Sequence, residues 1–358
     1  MSWEIRKFGD VVEFPPKVKL EKKEQYSFIP MDEVEAGRKY VSPQYLKEWK
    51  GSGGARFEEG DTLFARITPC LQNGKIAQAK GLINGKGFGS TEFFVFRGIE
   101  GVTQTDFVYY LSINSEFSEY AIGSMVGASG RQRADTKFVG EYEFNLPPLQ
   151  TQKRIADILS AYDDLIQNNL KRIKLLEQAA QNIYKEWFVY LRFPGHENTP
   201  ISEETGLPEG WEEKGLCEFT SFKQYKTKIK AYEGEKEYLA TANVDGIQIS
   251  ERGECFSFDK KPSRAQIAPP LNSVWFARMS NTDKVLCFTE NTNNDLMISS
   301  GFAGFKAEKH EFLPFLFCTI NNDVFSKLKD SYSTGSTQVS INNKSINSIR
   351  FIEPEIQI

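Results

Sequence analysis

Apolar residues recur at steps of three and four from Leu159 to Tyr190, through Tyr162, Ile166, Ile173, Leu176, Ala180, Ile183 and Trp187, with Asn169 the one polar member of the series. This is the spacing of a helix face prepared for a coiled coil. Pro147 and Pro148 stop the preceding strand, and a polar first turn follows them. The pattern therefore predicts a helix of about 40 residues, a rod roughly 60 Å long. Lys153, Arg154, Lys171, Arg172, Lys174, Glu177 and Glu186 fall outside the stripe. Such a helix cannot bury its stripe alone, so it needs a partner helix. Asn169 stands where a polar residue costs stability and fixes register. A core helix of an ordinary bundle would carry the same stripe, but its surroundings favour a spacer.

On both sides of the helix the period changes to two. "TEFFVFRG" and "SVWFARM" alternate as strands do, between Gly, Asn and Ser turns, and "DFVYYLSINSEFSEY" and "EFLPFLFCTINNDVF" read as short helices. These elements occur twice in one order, at an offset slightly above about 200 residues. "WEIRKFGDVVEF" parallels "WEEKGLCEFTSF", "GDTLFARITP" parallels "LNSVWFARMSN", and "GFGSTEFFVFRG" parallels "MISSGFAGFKAE". "GASGRQRADTKFVGEYEFNLPPL" then aligns with "TGSTQVSINNKSINSIRFIEPEI", setting Lys137 against Lys344 and Pro147 against Pro354. The fold class expected is α+β, with two similar globular domains separated by a long coiled-coil-forming helix. The expected boundaries are 1–145 for the first domain, 146–193 for the helical spacer, 194–210 for an exposed linker and 211–350 for the second domain. Residues 351–358 would be the stub of a second helical region.

Composition narrows the function. The 358 residues carry 44 Lys and Arg against 48 Asp and Glu, so the net charge of −4 draws the chain as a whole toward neither nucleic acid nor an anionic membrane. Binding to either must come from local patches. Five widely spaced cysteines form no CxxC or CxxH unit, which suits free thiols in a reducing cytoplasm. No apolar run approaches the roughly 20 residues of a membrane span, and "MSWEIRKFGD" lacks a signal peptide's apolar core.

Catalytic patterns are missing. His196 and His310 have no neighbouring Cys or spaced carboxylate, and neither GxSxG, a P-loop, HExxH nor an NPPY-type tetrapeptide occurs. The "NGK" segments at Asn73 and Asn84 read as turns. A binding protein is expected, with no metal and no catalytic residue, rather than a nuclease or methyltransferase.

Duplicated domains on a spacer suit a ligand with two similar sites at a set separation, and duplex DNA is one. The candidate contacts in the first domain are Arg66, Thr68, Gln72, Asn73, Lys75, Ser129, Arg131, Gln132, Arg133 and Lys137. In the second they are Lys226, Lys228, Arg278, Ser280, Asn281, Lys284, Ser336, Thr337, Gln338, Asn342, Asn343 and Lys344, with Lys223 and Lys230 flanking the lysine cluster. Arginine forks suit guanine, Asn and Gln amides suit adenine, and Lys, Ser and Thr suit phosphate. The same residues are also ordinary turn chemistry. What distinguishes them is that one polar loop recurs after the short helices with different residues, "GRQRAD" against "STQVSIN".

With Pro147, Pro148, Leu149, Gln152, Ile155, Leu159, Asp163, Ile166, Leu176, Trp187 and Phe188, the chain resembles the specificity subunits of type I restriction-modification systems. "GLPEGWE" from Gly206 and "WEIRKFGDVV" from Trp3 are similar to the openings of that family's two target-recognition domains. The resemblance implies a non-catalytic subunit whose domains each read half of a bipartite DNA site. It also implies a helix that sets the gap and docks modification subunits, adenine methyltransferases. S-adenosylmethionine, ATP and Mg would belong to partner subunits, a restriction subunit among them. A second conserved helix would be expected after Pro354, where the chain ends at "IEPEIQI". The seam of Leu159, Tyr162, Ile166, Asn169, Ile173, Leu176, Ala180, Ile183 and Trp187 is then expected to be completed by a second copy or a half-subunit. The competing reading is a truncated coiled-coil interaction protein that binds modification subunits without a functional bipartite site.

Overall fold

The central strands are not alternating but apolar on both faces: Thr62–Ala65 and Ser273–Ala277 are buried at every position. The computed structural model, which describes residues 3–128, 130–292, 295–335 and 339–355, shows why. Each of these strands stands between two cores and sends successive side chains into different ones. The chain divides into two compact units, Met1–Arg172 and Ile173–Ile358.

In the first unit a five-stranded sheet runs in the order Val12–Glu13, Phe93–Gly98, Thr62–Ala65, Ile76–Ala79, Tyr40–Val41. Phe93–Gly98 pairs antiparallel with Thr62–Ala65, Phe93 opposite Ala65 and Phe96 opposite Thr62. Phe64, Phe94 and Phe96 point into a core with Phe8, Val108 and Phe117, while Leu63, Phe93 and Val95 point into another with Ile29, Val41 and Phe57. The first core is closed by α1 (Thr105–Ser112), α2 (Ser115–Gly123) and α3 (Thr136–Gly140). Each is started by a side-chain cap: Gln104, Asn114 and Asp135 accept the backbone N–H groups of Phe107, Glu116 and Phe138. The second core is covered by the sheet Tyr45–Glu48, Gln25–Ile29, Lys86–Gly89, Ala55–Glu58, whose inner pair is parallel. Glu4–Lys7 and Glu143–Leu146 form an antiparallel ribbon.

The long helix, α4, spans Leu149–Tyr184 and ends in a π-helical turn at Lys185–Val189. Its contact with the first unit is polar. Gln152 is fully buried; its Nε2 donates to the carbonyls of Val102 (3.1 Å) and Pro147 (2.8 Å), and its Oε1 accepts from Gln104 N (2.9 Å). Two turns on, Ser160 Oγ accepts from the buried Lys39 Nζ at 2.6 Å, and Asp163 Oδ2 accepts from Tyr110 Oη at 2.5 Å. Tyr40 Oη donates to Asp164 Oδ1 at 2.9 Å. Burial lowers the Lys39 ammonium below its ordinary pKa, against the pull of Asp106, Asp163 and Asp164.

The second unit repeats the first. A sheet ordered Phe222–Tyr225, Phe302–Ala307, Ser273–Ala277, Val285–Phe288 faces a second sheet ordered Glu254–Phe256, Lys236–Leu239, Leu296–Ser299, Ala265–Ile267. The inner pair of the second sheet is again parallel and its outer pairs antiparallel. Val274 and Phe276 enter one core, Trp275 and Ala277 the other. Gly304 is required opposite Trp275, because a Cβ there would overlap the indole. Three helices follow as before: α5 (Leu313–Ile320), α6 (Asp323–Ser331, capped by Asn322) and α7 (Asn343–Ile346, capped by Asn342). Here the end of α4 is held by aromatic packing. Tyr184 is buried and, with Phe188, lies against Phe315 at ring separations of 6.0 and 4.8 Å.

Candidate nucleic-acid interface

Where Thr62–Ala65 ends, Arg66 takes over a different set of partners. Its N–H donates to Glu92 O (2.9 Å), its carbonyl accepts from Ala134 N (2.8 Å), and two residues on Thr68 N donates to Gln132 O (2.9 Å). Val126 and Arg133 thus close a hairpin through reciprocal backbone bonds of 3.1 and 3.0 Å. Gly127, next to Val126, takes a φ of +132° that favours glycine. Arg131 lies on the exposed part of this loop, Gln132 is half-buried, and Lys137 is exposed in the first turn of α3.

The second unit builds the same device. Arg278 N donates to Gly301 O (2.9 Å), Arg278 O accepts from Ile341 N (3.0 Å), and Ser280 N donates to Val339 O (2.9 Å). Reciprocal Thr334–Ser340 bonds of 3.1 Å close the hairpin, and Gly335 at φ +136° matches Gly127. Arg133 therefore corresponds to Ser340 and Gln132 to Val339. One scaffold carries two different sets of side chains.

Several of the residues singled out from the sequence are engaged in holding that scaffold. Arg133 forks onto Glu92, with Nη2 to Oε1 at 2.7 Å and Nε to Oε2 at 2.9 Å, and Arg66 Nε lies 3.6 Å from the same carboxylate. The Arg133 hydrogen bonds hold Glu92 below the ordinary carboxylate range. The Arg66 guanidinium also lies over the Phe94 ring, 5.1 Å from its centre. Arg278 donates to the carbonyls of Phe302 and Ile341 and to Asn343 Oδ1 at 2.6 Å, and burial lowers its pKa. Asn342 spends its amide oxygen capping α7 on Lys344 N and Ser345 N. Lys75 and Lys284 are staples, Nζ donating to Met31 O (3.0 Å) and Thr241 O (2.9 Å). Thr68 Oγ1 turns to Met125 Sδ. Gln72, Asn73, Arg131, Lys137, Lys226, Lys228, Asn281 and Lys344 remain exposed. Ser129, Ser336, Thr337 and Gln338 lie outside the described residues.

Glu92 was invisible to sequence reasoning. Its place follows only from the pairing that sets Phe93 against Ala65, and so brings Glu92 beside Arg66.

The seam of α4 is open. Leu159, Tyr162, Ile166, Ile173, Leu176, Ile183 and Trp187 are exposed, Leu176 by 67%, and Asn169 with them; only Ala180 is half-buried, against the second unit's aromatic core. Ile158, Leu165 and Leu175 widen the apolar stripe. Within this chain the stripe is left uncovered, and α4 is anchored to the first unit by Gln152, Ser160 and Asp163 beside it.

Among the described residues no group of His, Cys, Asp and Glu could hold a metal, and no helix is long and apolar enough to cross a membrane. All five cysteines are unpaired.

Residues 1–178 match the family model described as type I restriction modification DNA specificity domain. Over 189 residues, 51% of this chain and 32% of the relative, the chain is 30% identical to the type I restriction enzyme EcoAI specificity subunit of Escherichia coli. Over 236 residues, 63% of this chain and 51% of the relative, it is 26% identical to the MjaVIII specificity subunit of Methanocaldococcus jannaschii. The matches thus span only about a third and about half of these relatives. The crystal structure of the type I restriction-modification system S subunit from M. genitalium shares the fold, with a TM-score of 0.53 and 15% identity over 99% of this chain and 85% of that one.

Proposed function

Residues 1–178 belong to the type I restriction modification DNA specificity family, and on that premise we propose that this chain is a non-catalytic subunit that gives a type I restriction-modification complex its DNA sequence preference. Each unit reads one half of a bipartite duplex site with its hairpin and the start of the helix that follows. Arg131 and Lys137 are the contacts in the first unit, and Lys344 in the second. Asn73, Asn281, Lys226 and Lys228 add exposed polar and basic contacts, while Arg66, Arg133, Arg278, Lys75 and Lys284 shape the surface. The observation that carries the proposal is the repeated hairpin, closed by the same backbone bonds in both units yet displaying Arg133 and Gln132 in one and Ser340 and Val339 in the other. A protein that recognises two unlike half-sites needs such a pair of readers.

Helix α4 sets the separation of the half-sites and offers its open seam to modification subunits, or to a helix from a second copy or half-subunit. S-adenosylmethionine, ATP and Mg act in the partner subunits, in the cytoplasm, where unpaired cysteines stay reduced. The open seam also supports a second reading, an interaction protein that binds modification subunits without a usable DNA site. Selection from random duplex DNA, at several salt concentrations and with the modification subunit present or absent, separates the two. Sequence preference that survives moderate salt supports the DNA-reading subunit, since phosphate binding alone fades steeply with salt. Binding of the modification subunit with no sequence preference supports the second reading and overturns the first.

A further inference from the structure

In the first unit a cleft of about 400 Å3 adjoins the hairpin, its lining including Phe14, Gly54, Arg56, Arg66, Phe94 and Thr136. Cleft and hairpin share one surface, because the Arg66 carbonyl accepts Ala134 N–H and Thr136 opens α3. The cleft wall is aromatic: the rings of Phe14 and Phe94 meet edge to face at 4.9 Å, with the Arg66 guanidinium over Phe94. Gly54, at φ +76°, is needed where the chain passes the neighbouring strand, since a Cβ would come within 2.6 Å of Gly89 O. That passage delivers the next residues, Ala55 and Arg56, to the cleft. Arg66 and Arg133 share Glu92, whereas Arg56 is exposed and pairs with no acidic side chain among the described residues.

A cleft of this volume is in the size range of ligand sites. The half-buried Phe14 ring beside an unneutralised guanidinium suits the backbone of a nucleotide, the ring facing the sugar and the guanidinium the phosphate. We infer that the cleft takes one phosphodiester-linked nucleotide of the duplex, next to the stretch read by the hairpin, with Arg56 on its phosphate. The inference rests on the DNA-reading function and extends the contact surface to a residue that sets affinity rather than sequence preference.

The test uses the full chain with its modification subunit and compares wild type, Arg56→Gln, Arg56→Lys and Arg131→Gln on a selected duplex and a scrambled one. Arg56→Gln should weaken binding to both by the same factor and flatten the plot of log affinity against log salt by about 0.9, the loss of one phosphate contact. Arg56→Lys should keep the wild-type slope, and Arg131→Gln should change the ratio between the two duplexes. Selective wild-type binding with an unchanged slope in Arg56→Gln overturns the cleft assignment alone. A wild-type protein that does not distinguish the duplexes overturns the DNA-reading function, and the cleft with it.

Discussion

Tyr110 Oη donates to Asp163 Oδ2 across 2.5 Å, joining α1 to the long helix, and this contact helps to set the roll of α4. Tyr162 and Ile166, which flank Asp163 along the helix, stay exposed by 65% and 51%. Beside it Lys39, inside a ring of Tyr40, Tyr109 and Tyr110, donates to Tyr110 and Ser160. Polar groups that cannot be left unpaired in a buried place decide the orientation that the apolar stripe alone would not choose.

Gln152 is the most demanding of these anchors. Replacing it with Leu puts an apolar side chain of similar size in its place but leaves Val102 O, Pro147 O and Gln104 N without their partner. The expected loss is about 2–4 kcal/mol, seen as a lower urea midpoint with an unchanged slope. A midpoint equal to wild type would show that the roll of α4 is set elsewhere.

A charge placed on the open seam should do the opposite. Ile166→Glu and Leu176→Glu change exposed positions and should alter the unfolding free energy of the isolated chain by no more than about 0.5 kcal/mol. Assembly with the modification subunit, followed by sedimentation, should be lost. Normal assembly by both variants would mean that this face is not the docking surface.

Glu92 neutralises two arginines at the reading face. Glu92→Gln should release Arg133 and raise affinity for arbitrary duplexes, steepening the salt dependence by about 0.9 for each guanidinium freed. The ratio of selected to scrambled binding should fall, because Arg133 is no longer held in one orientation. Unchanged slope and ratio would leave Glu92 with a purely internal part.

Acid should weaken the second unit through Glu353. Burial by itself raises this carboxyl, but hydrogen bonds from Ser221, Lys214 and Thr220 outweigh it and hold the group below its ordinary value of 4.5. A native pKa below the unfolded one stabilises the fold above about pH 4.5, and that stability is lost as pH falls through the native pKa. Glu353→Gln should therefore cost about 2 kcal/mol at neutral pH, with the gap to wild type closing in acid. A gap independent of pH would assign the cost to packing.

By itself the sequence determined what is periodic and local. The three-four stripe marked α4, apolar and aromatic runs marked the short helices, and repeated segments announced two copies of one α+β topology, which the two units share down to their parallel inner strand pairs. Lys137 and Lys344 do occupy equivalent places, each directly after the opening residue of its helix. The tertiary structure alone decided which polar groups are spent. Arg66, Arg133, Arg278, Asn343, Lys75 and Lys284 read as surface chemistry along the chain, yet register and packing bring each to a partner many residues away. It also decided which face of α4 is buried. Apolar spacing shows that a helix has a stripe, but the direction of that stripe is set by Gln152, Ser160 and Asp163 meeting groups from α1 and the strands before it, a match no local pattern contains.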